Sequence, residues 1–198
     1  MKNKNIVITD NFLSEEEFDT LRDVIITDGV FPWYFNKIKV HLGEESKTSP
    51  GQFTHIIYAS PVPTSQFYEP FFIPILNQLE IALLARIKLN LNPRLSEPYY
   101  SDFHIDPELP FHSIADQLTT SIFYMNTCNG YTEFEDGTRI ESVANRIVSF
   151  PANTRHRTIT QTDEQTRILI NFNYLMFPPK SNKYLEIKHI GRLQSEIN

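Results

Sequence analysis

The sequence is short of the features that cross-link a chain or anchor it in a bilayer. Cys128 is the single cysteine among 198 residues, so an internal disulfide is impossible. A lone free thiol is typical of a reducing compartment, and we therefore expect a cytoplasmic protein. No stretch approaches the roughly 18 apolar residues that a membrane span needs, and the chain start does not resemble a secretory signal. The sequence thus predicts a protein without a membrane association.

Positive charge is also in the minority. The chain has 18 Lys and Arg residues against 24 Asp and Glu residues, which gives a formal net charge of -6 and a pI near 5.5. Non-specific binding to nucleic acid depends on many Lys and Arg contacts to phosphate groups. A nucleic-acid partner is therefore disfavoured.

Length and composition indicate one globular domain. Hydrophobic residues make up 40% of the chain and charged residues 21%, which is ordinary globular usage. We find no internal repeat and no composition break that would mark a linker. The prediction is a single domain over residues 1–198, because a chain of this length rarely forms two full cores.

The N-terminal part reads as helices with one strand. Ser14 followed by Glu17 has the pattern of a capping box, and apolar residues then recur at helical spacing, which predicts a helix over 14–27. Residues 52–59 read as a strand. A second apolar stripe predicts a helix over 69–85.

The remainder of the chain reads almost entirely as short strands with turn residues between them. The predicted strands cover 86–92, 99–105, 119–126, 131–135, 138–142, 146–150, 155–160 and 166–174. So many short strands are typical of a sandwich or barrel. We therefore expect a mainly β fold, with a helical support over about 1–85 and a strand-rich core over about 86–190 that is either a sandwich or a barrel.

Three residues in the strand-rich part have the chemistry of an iron site. His104 and Asp106 are two residues apart, so on a strand their side chains share one face. About 0.7 such triplets are expected by chance from six histidines and 24 acidic residues, so this pair is weak alone. His156 follows 50 residues later. Two histidines and one carboxylate form the facial triad of non-haem Fe(II) oxygenases, which leaves positions open for other ligands.

The order of these residues resembles that of a known superfamily. The motif His104-Ile105-Asp106, the strand at 122–126, His156 and then Arg167 eleven residues further on are similar to 2-oxoglutarate/Fe(II) dioxygenases, and most to the prolyl 4-hydroxylase-like branch. The resemblance implies a double-stranded β-helix, a distorted cupin-like jelly roll, with helices packed on one sheet. It also implies Fe(II) held by His104, Asp106 and His156, with 2-oxoglutarate and O2 as cosubstrates and ascorbate as an optional reductant.

The resemblance assigns further residues to the cosubstrate. Arg167 would bind the distal carboxylate of 2-oxoglutarate, because a guanidinium offers two parallel charge-assisted hydrogen bonds. Tyr124 would assist at the same carboxylate, and Asn171, on the same strand face as Arg167, would approach the metal or its oxygen ligand. Relatives often place a tyrosine about ten residues before the first histidine; here Asn90 or Tyr100 would substitute for it.

Other candidate residues have weaker support. His112 is the one rival metal ligand, and Trp33-Tyr34 is a candidate aromatic platform for a substrate, although aromatic residues in β proteins usually belong to the core. Arg155 and Arg157 flank His156 on the opposite strand face, and we expect them to be solvated.

Three functions fit the sequence. The leading one is hydroxylation of a protein residue of the prolyl type, coupled to oxidative decarboxylation of 2-oxoglutarate. The second is hydroxylation of a small molecule or nucleobase. The third is a non-enzymatic cupin-like binding module, since jelly rolls host both enzymes and binding proteins. The intact set of His104, Asp106, His156 and Arg167 favours an enzyme over the binding module.

Overall fold

The computed structural model describes residues 5–37, 50–106 and 116–177, and these form two antiparallel sheets with helices on one side. The strands are β1 (Val7–Thr9), β2 (Tyr34–Asn36), β3 (Gln52–Ala59), β4 (Val62–Pro63), β5 (Ile81–Pro93), β6 (Thr119–Tyr124), β7 (Tyr131–Phe134), β8 (Arg139–Glu141), β9 (Arg146–Pro151), β10 (His156–Ile159) and β11 (Thr166–Met176). The large sheet has the order β1-β9-β6-β11-β5-β3-β2, with β4 beside β3, and the small sheet has the order β10-β7-β8. The predicted mainly β jelly roll is confirmed.

The first predicted helix is confirmed. Helix α1 (Glu15–Arg22) continues without a break into a π-helical turn (Asp23–Thr27). The capping box is present: the Glu17 backbone N–H donates to Ser14 Oγ, and the Ser14 backbone N–H donates to the Glu17 carboxylate. These bonds satisfy amides that the first helical turn leaves without a partner.

The second predicted helix is wrong in its C-terminal half. The helical stretch comprises a π-helical turn (Tyr68–Phe72) and α2 (Ile73–Gln78), and Leu79 is already extended. Residues from Ile81 onward belong to β5, where Ile81 pairs with Met176 and Leu84 with Tyr174 of β11. The apolar residues at 81–85 are compatible with a helix and with a strand. Their pairing with β11, the longest neighbouring strand, makes this stretch a strand.

The strand predicted over 99–105 is also wrong. Two isolated antiparallel bridges, Tyr100 with Ile159 and His104 with His156, attach this stretch to β10. The strand predicted over 86–92 begins five residues earlier, at Ile81, and the strand predictions from residue 119 onward are confirmed within two residues at either end.

Side chains along the central strands point alternately to the two faces of the large sheet, and this divides the interior into two layers. One face of the large sheet packs on the helices, and the other faces the small sheet. The helix side buries Phe18, Leu21, Ile25, Phe72, Ile75, Phe123, Ile170 and Phe172. The space between the sheets buries Ile122, Tyr124, Phe134, Ile140, Val148, Phe150 and Leu169. The odd-numbered residues of β11 therefore face the same space as the small sheet.

The side-chain amide of Asn145 adds to the pairing of β1 with β9 in fastening the N-terminal stretch to the barrel. Asn145, in the left-handed region at φ 60°, accepts a hydrogen bond from the Leu13 amide through Oδ1 (2.9 Å) and donates from Nδ2 to the Leu13 carbonyl (2.8 Å).

Within the described ranges, no helix is long and apolar enough to cross a membrane.

Candidate metal centre

His104 and His156 lie side by side at one end of the space between the sheets. Their backbones form an antiparallel bridge with two N–H to carbonyl hydrogen bonds of 2.9 Å. The centroids of the two imidazole rings are 4.7 Å apart. His156 belongs to β10, and the bridge brings His104 to it although that residue is not part of a regular strand.

Both imidazoles are oriented by a hydrogen bond from the ring to a backbone carbonyl two residues earlier. His104 Nδ1 lies 3.2 Å from the Asp102 carbonyl, and His156 Nδ1 lies 3.0 Å from the Thr154 carbonyl, in each case two residues earlier. A carbonyl only accepts, so Nδ1 carries the proton in both rings and Nε2 keeps its lone pair. This tautomer is the one that offers Nε2 to a metal.

Asp106 completes the cluster from a buried position. Its Oδ1 accepts from Arg86 (3.1 Å), and its Oδ2 accepts from Asn171 Nδ2 (3.0 Å) and lies 3.8 Å from His156 Nε2. Arg86 is itself held by a hydrogen bond from Nε to Asn173 Oδ1 (3.1 Å). The carboxylate is therefore fixed by one cation and one amide, and Oδ2 is the oxygen that faces the histidines.

The electrostatics keep Asp106 and His156 ready to bind a cation. Burial alone would raise the pKa of Asp106, but the Arg86 guanidinium and the nearby imidazoles hold it well below the ordinary value. Burial, helped by His104, lowers the pKa of His156 to about 4. At neutral pH the site thus presents a carboxylate and a neutral His156 imidazole.

The donor set fits a transition-metal ion. One ligand atom from each of His104, Asp106 and His156 lies within 4.8 Å of the other two, so one ion can contact all three. No second group of this kind occurs in residues 5–37, 50–106 and 116–177. Two imidazoles and one carboxylate match the facial triad of Fe(II) oxygenases.

A polar cavity opens onto these three residues. Strand β5 contributes four residues at alternating positions, which share one face of the sheet. The lining comprises Gln52, Arg86, Lys88, Asn90, Asn92, Ser101, His104, Asp106, Ile122, His156, Thr158, Leu169 and Asn171. Apolar lining comes from Ile122 and Leu169, and the described part of the lining includes no phenylalanine, tyrosine or tryptophan.

Arg167 lies deeper, behind this lining, and is fully buried. Its Nε donates to Ser142 Oγ (2.6 Å) and its Nη2 donates to Thr132 Oγ1 (3.3 Å), while Nη1 has no partner among the described residues. Burial lowers the pKa of Arg167. A buried guanidinium with no carboxylate bonded to it is costly in free energy, so an added carboxylate would fit this site.

Tyr124 lies against the same guanidinium. The guanidinium carbon of Arg167 is 5.6 Å from the centroid of the Tyr124 ring, and the Tyr124 hydroxyl donates to Thr132 Oγ1 (2.8 Å). Neither residue lines the cavity, in contrast to Asn171. The structure thus brings His104, Asp106, His156 and Asn171 together, and it holds Arg167 and Tyr124 as a neighbouring group beyond Leu169.

The other sequence candidates are mostly away from the cavity. Tyr100 is half exposed beneath the Arg157 guanidinium, whereas Asn90 lines the cavity and donates weakly to Asn171 (3.5 Å). Trp33 packs on the ring of Phe31, outside the cavity. Tyr34 is 62% exposed at the end of the large sheet. His112 lies outside the described residues.

Arg155 is exposed, as expected, whereas Arg157 is only partly exposed, with 27% of its side-chain surface accessible. Arg155 binds the Glu135 carboxylate and the Phe103 carbonyl. Arg157 binds Glu133, which lies opposite it in the pairing of β10 with β7.

Arg86 is the site residue that the sequence interpretation missed. It opens a run in which positions 86, 88, 90 and 92 are polar and the positions between them apolar. A row of polar residues on one face of a predicted interior strand is the signal that could have identified it.

The fold has counterparts among solved structures. A prolyl-4-hydroxylase from Pseudomonas putida superimposes with a TM-score of 0.59 at 10% identity, over 88% of this chain and 94% of that one. A prolyl hydroxylase from Trichoplax adhaerens, in complex with a peptide fragment of the hypoxia inducible factor oxygen degradation domain, gives 0.54 at 14% identity, over 88% and 84%.

A third counterpart has a different activity. The non-heme α-ketoglutarate-dependent epimerase SnoN from nogalamycin biosynthesis gives a TM-score of 0.57 at 9% identity, over 87% of this chain and 78% of that one. No protein-family model matches the sequence, and no curated protein matches it. The predicted resemblance to the 2-oxoglutarate/Fe(II) oxygenases is confirmed at the level of the fold.

Proposed function

We propose that this protein is a 2-oxoglutarate- and Fe(II)-dependent dioxygenase that hydroxylates a C–H bond. The observation that carries the proposal is the presence of two groups in one barrel: the His104, Asp106 and His156 cluster, and a buried Arg167 guanidinium that no carboxylate of the described residues binds. The first is a set of ligands for Fe(II). The second is a receptor for the distal end of a dicarboxylate.

In this proposal His104, Asp106 and His156 hold the metal. Bound Fe(II) would supply the activation of O2 that couples oxidative decarboxylation of 2-oxoglutarate to hydroxylation, with ascorbate as an optional reductant. The protein supplies orientation. The carbonyls of Asp102 and Thr154 leave each Nε2 free to hold the metal, and Arg86 occupies Asp106 Oδ1, so Oδ2 is the carboxylate oxygen that would hold it.

Arg167, Tyr124 and Asn171 have distinct roles towards the cosubstrate. Arg167 Nη1 would donate to the distal carboxylate, and the Tyr124 hydroxyl, which shares Thr132 with Arg167, would assist there. Asn171 lies four residues from Arg167 on the same face of β11, about 13 Å along the strand, and it would fix Asp106 beside the cosubstrate. A dicarboxylate held between these ends would lie against Leu169 and Ile122, the apolar part of the lining.

A protein residue of the prolyl type is the leading substrate class. Its support is the likeness of the fold, over most of the chain, to two structures titled as prolyl hydroxylases. A small-molecule substrate is the second candidate. It is supported by the likeness to SnoN and by a described lining that is rich in amides and has no aromatic ring for stacking on a prolyl ring. The acidic net charge disfavours nucleic acid.

The decisive experiment needs no knowledge of the substrate. Metal-free protein is titrated with Fe(II) and 2-oxoglutarate under argon while the visible charge-transfer absorption of a chelated Fe(II)–2-oxo acid is recorded. We expect a saturable band that is lost in His156→Ala and Asp106→Ala and needs much higher 2-oxoglutarate in Arg167→Ala. Tyr34→Ala, on the exposed end of the large sheet, is the matched control and should retain the band.

Two outcomes would contradict the proposal. If the wild-type protein gives no band and binds no Fe(II), the cupin-like binding module becomes the better interpretation. A band that persists in Asp106→Ala would show that the ligands are assigned wrongly.

The substrate class is tested separately. Mass spectrometry of proline-containing peptides after turnover should detect a gain of one oxygen if a prolyl residue is the target. Succinate formation stimulated by small polar metabolites, with unmodified peptides, would favour the second candidate.

A further inference from the structure

One strand carries two cationic side chains into the cavity at the metal centre. Arg86 and Lys88 are two residues apart on β5, so they share the face of the large sheet that lines the cavity. Arg86 holds the Asp106 carboxylate in place. Lys88 has no part in the proposed binding of the metal or of 2-oxoglutarate, so its place in the cavity needs a separate explanation.

Lys88 lies between the metal ligands and the open side of the cavity. It is directly opposite Asn171 in the pairing of β5 with β11, and Asn171 donates to Asp106 Oδ2. On its other side Lys88 is directly opposite Ile56 of β3, which is 45% exposed. Opposite residues of an antiparallel pair share a face, so the half-buried Lys88 has a contact of a metal ligand on one side and solvent on the other. Burial raises the pKa of Asp106, and Lys88 is among the cations that hold it well below its ordinary value.

Lys88 is also remote from the group that would bind the distal end of the cosubstrate. Asn171, which faces Lys88, is four residues from Arg167 along β11, about 13 Å. A cosubstrate that runs from the metal to Arg167 therefore leads away from Lys88. The space beside Lys88 is left for the molecule that shares the cavity with the cosubstrate.

The described lining of the cavity has an excess of positive charge. Its charged side chains are Arg86, Lys88 and Asp106, and the imidazoles that hold a metal are neutral. The positive charge of Fe(II) and the negative charge of 2-oxoglutarate cancel, so one net positive charge remains in the loaded site. A charge in a partly buried site is costly unless an opposite charge compensates it. A cleft lined by one sign of charge also concentrates ligands of the opposite sign.

We propose that Lys88 binds a carboxylate of the substrate and thereby makes this protein specific for acids. This inference rests on the proposed function and adds a substrate class to it. The Lys88 ammonium would donate a charge-assisted hydrogen bond to the carboxylate, and the rest of the substrate would lie beside the metal ligands. The carboxylate belongs either to a small acid or to an acidic residue of a peptide.

The first test measures binding without turnover. The protein is loaded with saturating 2-oxoglutarate and with Mn(II) in place of Fe(II), because this paramagnetic ion broadens the 19F NMR signal of a molecule bound near it. Trifluoroacetate and its neutral counterpart trifluoroacetamide are the probes. We expect broadening of the trifluoroacetate signal alone. Lys88→Met should weaken trifluoroacetate binding about ten- to hundredfold, the usual effect of removing a hydrogen bond between charged groups.

Two further variants separate the position of the charge from its mere presence. Arg22→Met removes one positive charge from α1, on the other side of the large sheet, and should leave the broadening unchanged. Lys88→Arg keeps the charge in the cavity and should retain most of the broadening. Lys88→Met should keep the Fe(II)–2-oxoglutarate absorption band with unchanged 2-oxoglutarate affinity, which also shows that this variant is folded.

The second test identifies the source of the carboxylate. Succinate formation by the Fe(II)-loaded protein is measured with small carboxylic acids, with their carboxamides, and with acidic peptides whose termini are blocked. The acids should exceed their carboxamides at least tenfold in kcat/KM, and Lys88→Met should remove the difference. Stimulation by the blocked peptides would place the carboxylate on a peptide side chain, and stimulation by the free acids alone would place it on a small molecule. No preference for acids over carboxamides would overturn the inference.

The outcomes separate this inference from the proposed function. If the wild-type protein binds Fe(II) and 2-oxoglutarate but trifluoroacetate is not broadened, or is broadened equally in Lys88→Met, the role of Lys88 is wrong and the proposed function stands. A loss of 2-oxoglutarate affinity in Lys88→Met would also overturn it, since Lys88 would then belong to the cosubstrate site. If the wild-type protein fails to bind 2-oxoglutarate at all, the proposed function itself fails, and this inference fails with it.

Discussion

Asp106 and Arg86 form a buried ion pair in which Arg86 Nη2 donates to Asp106 Oδ1 at 3.1 Å, with side-chain exposures of 8% and 16%. The pair connects a proposed metal ligand to the interior of the large sheet, since Arg86 also binds Asn173, and Asn173 donates to Thr120 on β6. The position of one carboxylate is thus determined by three strands of the large sheet.

Removing Arg86 should destabilise the ligand-free protein. Arg86→Met leaves the Asp106 carboxylate buried without its cation, and breaking such a pair costs about 3 kcal/mol. We expect a loss of this size in the free energy of unfolding by denaturant. The double variant Arg86→Met with Asp106→Asn should be more stable than Arg86→Met alone, because no charge is then left unpaired. Equal stabilities would show that the pair has no energetic role.

Stability of the metal-free protein should decrease in acid because of His156. Its pKa is lowered to about 4 in the folded state, against 6.5 for an ordinary histidine, so the unfolded chain binds more protons between these two pH values. Stability therefore falls as pH drops from about 6.5 to 4, by up to about 3 kcal/mol from this residue. Denaturant unfolding at several pH values checks this, and His156→Gln should flatten the slope in that interval.

Gly130 should be sensitive to the smallest substitution. A Cβ atom there would lie 2.7 Å from Arg167 Cδ and 3.0 Å from both the Gln161 amide nitrogen and the Ile159 carbonyl. Gly130→Ala should cost about 1–3 kcal/mol of stability, as overpacking does, and should weaken 2-oxoglutarate binding by displacing Arg167. At Gly137 a Cβ meets no atom within 4 Å, and φ is +85°. Gly137→Ala should therefore affect stability through backbone strain without changing 2-oxoglutarate affinity.

Asn145 should contribute to the attachment of the N-terminal stretch. Asn145→Gly keeps the left-handed backbone accessible but removes both bonds to Leu13, and we expect a loss of about 2 kcal/mol. If residues 1–198 form one domain, as we propose, unfolding should remain a single transition in this variant. Two separate transitions, with α1 melting before the barrel, would contradict a single cooperative unit.

Local chemistry made part of this structure predictable. The capping box at Ser14 and Glu17 satisfies its hydrogen bonds within one turn, so the helix start can be recognised without the rest of the fold. The strand at 52–59 and the strands after 119 follow the alternation of a sheet that is covered on at least one face. The grouping of His104, Asp106 and His156 follows from the family resemblance, and the structure places one ligand atom from each within 4.8 Å of the other two.

Other features depend on partners distant in sequence. Residues 81–85 have an apolar pattern that is compatible with the period of a helix and with that of a strand, and pairing with β11 makes them a strand. The stretch at 99–105 alternates like a strand, but its described pairing consists of two isolated bridges. The ion pair between Arg86 and Asp106 could not be predicted from the sequence, because the two residues come together only in the folded protein.

The isolated bridge between His104 and His156 has a consequence for the metal itself. Two of the three proposed ligands, His104 and Asp106, come from a stretch that isolated bridges and a few hydrogen bonds attach to β10, and the third comes from β10. An ion bound by all three residues would act as a cross-link between these segments. Chelation should then loosen the stretch around His104 more than the sheets, so limited proteolysis of metal-free and metal-loaded protein should differ first in this region.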